Sequence, residues 1–239
     1  MKTENTSRLK DFFDKKVQQY NQPSFINADP VCIPHLFTKQ PDIEIAGLFA
    51  AVFAWGNRAT IIKKSKELMG LMDNTPLDFC LNHTTNALKR LEGFKHRTFN
   101  TTDLLYFIEF LRFHYTHYVS LEDAFLISPP QGAGADVFVS GKNIGDGIAF
   151  SLIHFHNYFF SLEHVPPRTK KHISTPWKGS TCKRLNMFLR WMVRKDEQGV
   201  DFGHWKKISP SELICPIDVH VARVAKRFGL LERDRKRHV

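Results

Sequence analysis

The chain has 239 residues, 42% of them apolar and 24% charged, a balance that excludes wholesale disorder and supplies one ample domain or two interlocked lobes. Its longest nearly uncharged apolar run, Ala46 to Gly56, is far short of the ~20 residues that span a membrane, and its first residues lack the apolar stretch of a secretion signal. The net charge of +10 is uneven: residues 1–164 hold 16 basic against 17 acidic side chains and residues 165–239 hold 18 against 7, so the positive excess of the last third is either the footprint of a polyanion binder or a solubilising surface with a basic tail.

Helical periodicity dominates the chain. Ser7 to Tyr20 predicts a serine-capped helix with Leu9, Phe12, Phe13 and Val17 at helical spacing, broken by Pro23 and Asn27-Ala28-Asp29-Pro30. Pro41-Asp42 opens a helix to about Trp55 that is apolar nearly all round, which places it at the centre of a bundle. Gly56-Asn57 ends it, and Ala59 to Met72 forms an amphipathic partner. Asp103 to Tyr118 reads as a strongly aromatic helix, Pro129 to Gly134 as a surface loop, and Ile144 to Leu162 as a helix rich in Phe and His, closed by Pro166-Pro167.

The expectation is an all-α fold of eight or more helices, with the 21 phenylalanines in its core. Cys32, Cys80, Cys182 and Cys215 are scattered, without a C-x-x-C, which argues against disulfides, a zinc ribbon and an iron–sulfur cluster and fits a reducing, cytoplasmic setting. His114-x-x-His117 and His154-x-His156 lack a third ligand nearby, so they read as packed or surface histidines. No metal and no cofactor is expected: phosphate-loop, nucleophile-elbow and dinucleotide fingerprints are all missing.

Two segments carry chemistry. In the first, Lys178-Gly179-Ser180-Thr181-Cys182-Lys183-Arg184, a glycine turn enters a helix whose Leu185, Phe188, Leu189, Met192 and Val193 form one apolar face. Ser180 is the candidate N-cap, and free N–H groups at the helix start would hold a backbone phosphate. Lys183 falls in the first turn beside Arg184, where the helix dipole and the neighbouring cation both disfavour its ammonium form and free the amine as a nucleophile. Taken alone, a lysine there is ordinarily a solvated surface charge. In the second segment, Cys215 to Leu230, Pro216 blocks any earlier helix, Asp218 is the N-cap candidate and Gly229 the C-terminal stop. Val221, Val224, Ala225 and Phe228 make its apolar stripe, and Arg223, Lys226 and Arg227 its basic face.

Together these segments resemble the helix-hairpin-helix DNA glycosylase superfamily, which includes endonuclease III and the 8-oxoguanine glycosylases. Gly179 and Lys183 match the first glycine and the lysine of that family's hairpin, and Pro216, Asp218, His220, Val221, Arg223, Val224, Arg227, Gly229 and Leu230 match its second segment. A weaker similarity covers Glu44 to Trp55 with Gly56-Asn57-Arg58, like the helix and turn that fill the gap left by a flipped base. The resemblance implies two helical lobes with a DNA groove between them. The expected division is 41–195 as the central bundle ending in the hairpin and its helix, with 1–40 plus 196–239 as the second lobe. It also implies a monomer in the cytoplasm, associated with the nucleoid, acting on double-stranded DNA that carries a damaged or abasic site.

In that reading Lys183 attacks sugar C1′ and Asp218 assists, with an oxidised purine as lesion. Lys178, Gly179, Ser180, Arg184, His220, Arg223, Arg227, Trp55 and Asn57 would bind the nucleic acid, which must be turned out of the stack for chemistry on its base. Three features depart from the family pattern. Thr181 replaces the hairpin's second glycine; Lys183 and Asp218 stand 35 positions apart, a spacing comparable to an archaeal 8-oxoguanine branch; and Lys195 to Ser211 reads as a polar insertion. The alternatives are a non-catalytic nucleic-acid-binding protein with the same hairpin, and an enzyme using the same pair on RNA or a small substrate.

Overall fold

The computed structural model describes residues 2–126 and 147–231, with side chains from Arg8 onward. The loop expected at Pro129–Gly134, the start of the helix expected from Ile144 and the basic residues from Arg233 lie outside the described residues. Helices α1 (Lys2–Tyr20), α2 (Pro23–Ile26), α3 (Gln40–Phe53), α4 (Arg58–Leu71), α5 (Pro76–Asn82) and α6 (Thr85–Lys89) precede a two-residue antiparallel pair, β1 (Lys95–His96) and β2 (Phe99–Asn100). Then come α7 (Thr101–His117), α8 (Asp123–Leu126), α9 (Ile148–Phe159), α10 (Lys183–Val193) and α11 (Val219–Arg227). The fold is all-α, and among the described residues no helix is long and apolar enough to cross a membrane.

Helix α3 is the axis of the core, buried at every position from Asp42 to Phe53. A helix apolar on all sides is stable only when neighbours cover each face, and here α4, α5 and α10 do so. Gly47 sets the closest approach, because a Cβ there would meet Met192 Cε at 3.0 Å and a Phe188 ring carbon at 3.2 Å. Phe49, Phe53, Phe99, Phe107, Phe110, Phe155 and Phe159 are fully buried and interlock edge to face, each ring worth about 1.5–3 kcal/mol of burial. The expectation of an all-phenylalanine core is too broad, since Phe12, Phe113, Phe150 and Phe228 are exposed.

Inside this apolar body sits Glu44, whose carboxyl accepts hydrogen bonds from Gln40 Nε2 (2.9 Å) and from Tyr115 Oη, Ser120 Oγ, the Leu121 N–H and Trp205 Nε1 (each 2.7 Å). One side chain therefore ties α3 to α7, to the turn after α7 and to a segment far down the chain. His114 lies between Tyr158 Oη and the Ser120 carbonyl, and His156 bonds the Ile173 carbonyl. No group of three potential metal ligands occurs among the described residues.

The stretch from Lys195 to Ser211 corrects the expectation of a polar insertion. It is a strap whose Val200, Trp205 and Ile208 are buried in the core. The last carbonyls of a helix need outside donors, and the strap supplies them: the Phe202 and Trp205 N–H groups bond the Trp191 and Met192 carbonyls of α10 at 2.8 and 3.0 Å. Its apolar residues are too few and irregularly spaced to read as helix or strand. Gly203 is required by the strap, since at its φ of +57° a Cβ would lie 2.4 Å from Lys195 Cβ.

The two chain ends meet: Phe12 and Phe13 of α1 pack on Phe228 at 5.3 and 5.4 Å between ring centroids, and Asn21 bonds Asp196 and Arg194. Helix α1 runs from Lys2, so Ser7 is not its cap.

Candidate active site and nucleic-acid interface

The turn that enters α10 has two left-handed residues, Gly179 at φ +74° and Cys182 at φ +46°. Thr181, in the place of the second hairpin glycine, escapes positive φ because the left-handed step falls one residue later. This also displaces the expected cap. Ser180 Oγ accepts the Cys182 N–H at 3.1 Å, whereas Cys182 itself is the N-cap residue and offers no side-chain acceptor. The first helical bond runs from the Asn186 N–H to the Cys182 carbonyl. No side chain caps the N–H groups of this first turn, an arrangement suited to an oxyanion. The turn is entered from the short 3-10 segment Pro176–Lys178 rather than from a long helix.

One face of α10, with Leu185, Phe188, Leu189 and Met192, is buried in the core. The face carrying Lys183, Met187, Arg190 and Arg194, at i, i+4, i+7 and i+11, borders an open cleft of about 700 Å³. The opposite wall is the chain from Pro210 to Pro216 together with Asp218 and Val221, and Ala54 at the end of α3 closes one side. Lys183 and Asp218, far apart in sequence, thus share one cavity. Arg190 and Arg194 are oriented by ion pairs to Asp201 Oδ2 at 3.1 and 2.6 Å, and Arg194 also pairs with Asp196.

Asp218 is the N-cap of α11, its Oδ1 accepting the Val221 N–H at 2.7 Å. That bond is the main influence holding its carboxyl below the usual aspartate range, with the His220 N–H, the His220 ring and the Lys183 cation adding to it. Helix α11 ends as expected: Gly229 is left-handed and the Leu230 N–H returns to the Ala225 carbonyl at 2.8 Å. His220, Arg223 and Arg227 are exposed along it, as are Lys178 and Gly179 in the hairpin turn.

Arg184 differs from its expected role. Its guanidinium turns inward and donates to the Val52 carbonyl at the end of α3 and to the His172 carbonyl at 3.3 Å. Burial lowers its pKa from the ordinary arginine value. This arginine clamps the hairpin to α3, where orphan helix carbonyls need a donor, and its head group is engaged there rather than held out for a phosphate. His96 bonds the next carbonyl, that of Phe53.

Beside Ala54, the Trp55 ring is covered by the Arg97 guanidinium at 4.5 Å, and the φ of +104° at Gly56 is a backbone conformation that side-chain-bearing residues rarely adopt. Asn57 caps α4 by accepting the Thr60 N–H. Of this stretch only Ala54 lines the cleft; Trp55 and Asn57 are not among its walls.

A family model described as "Protein of unknown function (DUF2400)" matches residues 29–238. The chain belongs to the DUF2400 family. The match takes in both walls of the cleft and leaves α1 outside. No curated protein and no solved structure matches the chain.

Sequence reasoning missed Arg190, Arg194, Met187 and Asn186. The signal was present, since Asn186, Met187 and Arg190 lie on the helix that starts at Lys183 and Arg194 caps its end.

Proposed function

We propose that this member of the DUF2400 family is a DNA base-excision glycosylase with abasic-site lyase activity. The observation that carries the reading is the pairing of Lys183 with Asp218 in one cleft whose wall also holds Arg190 and Arg194. Pure binding does not require an amine opposite an acid. Lys178 of the hairpin turn and the exposed Arg223 and Arg227 of α11 would hold phosphates on either side of an extruded nucleotide, in keeping with the helix-hairpin-helix resemblance.

In this mechanism the Lys183 ammonium first gives up its proton to solvent, and the free amine attacks C1′. The Nζ–C1′ bond forms as the N-glycosidic bond breaks, and the electron pair leaves with the base, which takes up a proton. Asp218, held ionised by its cap bond, stabilises positive charge on the sugar and accepts a proton from the attacking nitrogen. Ring opening then gives a Schiff base, and loss of a C2′ proton expels the 3′ phosphate.

Borohydride reduction with duplex DNA carrying an abasic site tests the reading. Wild type is expected to form a covalent adduct that Lys183→Ala abolishes. Absence of an adduct from wild type, or undiminished trapping by Lys183→Ala, overturns it. Salt-sensitive DNA affinity without an adduct would favour the non-catalytic alternative.

A further inference from the structure

Helix α11, which Asp218 caps, stands outside the main core. None of its residues is buried, and among the described residues none of its apolar side chains joins the core cluster. Val219, Val221 and Val224 stay exposed along it. It has nine residues, and an isolated helix shorter than ~12–15 residues is marginal in water even with the best composition. Helix α11 therefore needs something to dock on.

That partner is α1. At the end of α11 the Phe228 ring meets Phe12 and Phe13, with centroids 5.3 and 5.4 Å apart. Phe12 and Phe13 also pack edge to face on each other at 5.6 Å, so the three rings form a cluster apart from the main core. The far end of α1 is tied to the other side of the cleft. Asn21, directly after α1, donates from Nδ2 to Asp196 Oδ2 at 3.0 Å and accepts from Arg194 at Oδ1 at 2.7 Å. Arg194 ends α10, the helix that starts at Lys183, and lines the cleft. Helix α1 thus links the helix that Asp218 caps to the end of the helix that carries Lys183.

Resting on the glycosylase reading, we infer that Phe228, seated on Phe12 and Phe13, is a positioning residue for Asp218. Docking of the Phe228 ring keeps α11 helical. A helical first turn brings the Val221 N–H to Asp218 Oδ1 at 2.7 Å, and that bond orients the carboxyl that lines the cleft. If α11 unravels, Asp218 loses the bond that fixes it. Phe228 is not among the walls of the cleft, so its effect on the reaction passes through Asp218.

The test is a double-mutant cycle on the rate of borohydride trapping with abasic-site DNA. Phe228→Ala removes the ring and keeps a good helix former. It is expected to slow trapping by at least ~10-fold, part of what losing acid–base assistance costs. Added to Asp218→Asn, it is expected to slow trapping no more than about twofold further, because residues that act as one unit are not additive. Phe12→Ala combined with Phe13→Ala alters the other side of the same contact and should repeat both results. The urea midpoint of Phe228→Ala, followed by the fluorescence of the buried tryptophans, should stay at the wild-type value because the ring lies outside the core. Equal slowing in both backgrounds gives Phe228 a role independent of Asp218 and overturns the inference. Trapping by Phe228→Ala at the wild-type rate overturns it too, as does a midpoint so lowered that unfolding accounts for the slower trapping. If wild type and Asp218→Asn trap equally fast, the inference falls with the role of Asp218 while Lys183 remains the nucleophile. A wild type that traps nothing brings down the glycosylase reading itself.

Discussion

At Asp218 one carboxyl has two roles that substitution can separate. It caps α11 through the Val221 N–H and it lines the same cleft as Lys183. Asparagine is as good an N-cap as aspartate but carries no charge. Asp218→Asn is therefore expected to unfold at the wild-type urea midpoint while losing 10²–10⁴-fold in base release, the usual worth of general acid–base assistance. Asp218→Ala should lose the activity and also about 1 kcal/mol of stability. Equal destabilisation by both variants, with activity retained in Asp218→Asn, would reduce Asp218 to a cap. The cap was legible in the sequence because an acidic residue after Pro216 and before an apolar stripe has few other local uses. The inward turn of Arg184 was not, since a guanidinium reaching helix carbonyls over 100 positions away leaves no local pattern.

Among the elements, α3 and α10 were readable from periodicity, and their packing fixes the helix on whose first turn Lys183 stands. The strap over the end of α10 was not readable. Its composition is polar, and Trp205 is held by distant partners, its ring packed on Phe125 and Phe188 and its Nε1 donating to Glu44 of α3, rather than by any repeat of its own. Trp205→Phe keeps most of the ring volume but removes one of the five donors to a buried carboxyl. It should lower unfolding free energy by about 1–3 kcal/mol and, at a temperature where the variant is folded, leave abasic-site trapping unchanged. A neutral effect on stability would mean that the remaining four donors satisfy Glu44. Helix α11 contrasts with α3, for none of its residues is buried. Its position rests on the Asp218 cap and on the Phe228 contact with α1.

For the whole molecule, burial controls the response to acid. Burial lowers the pKa of His96, His114, His154, His156, His172 and His204, and takes His172 to about 4 even though Asp103 Oδ2 stands 3.3 Å from its Nε2. The unfolded chain binds protons near the ordinary histidine value of ~6.5, where the folded chain does not. Stability is thus fully present above that value and is lost as pH falls toward 4. The urea midpoint should decline over this window and His172→Gln should flatten the decline; a midpoint constant down to pH 4 would contradict it. The all-α architecture was legible because it rests on local periodicity, while the placing of Lys183 and Asp218 along one cleft depends on how distant segments pack. The most direct measurement of the central claim is peptide mapping of the protein after borohydride reduction on abasic-site DNA. The account predicts a single sugar adduct on the Lys183 amine, reduced sharply by Asp218→Asn. An adduct on another lysine, or none, would contradict it.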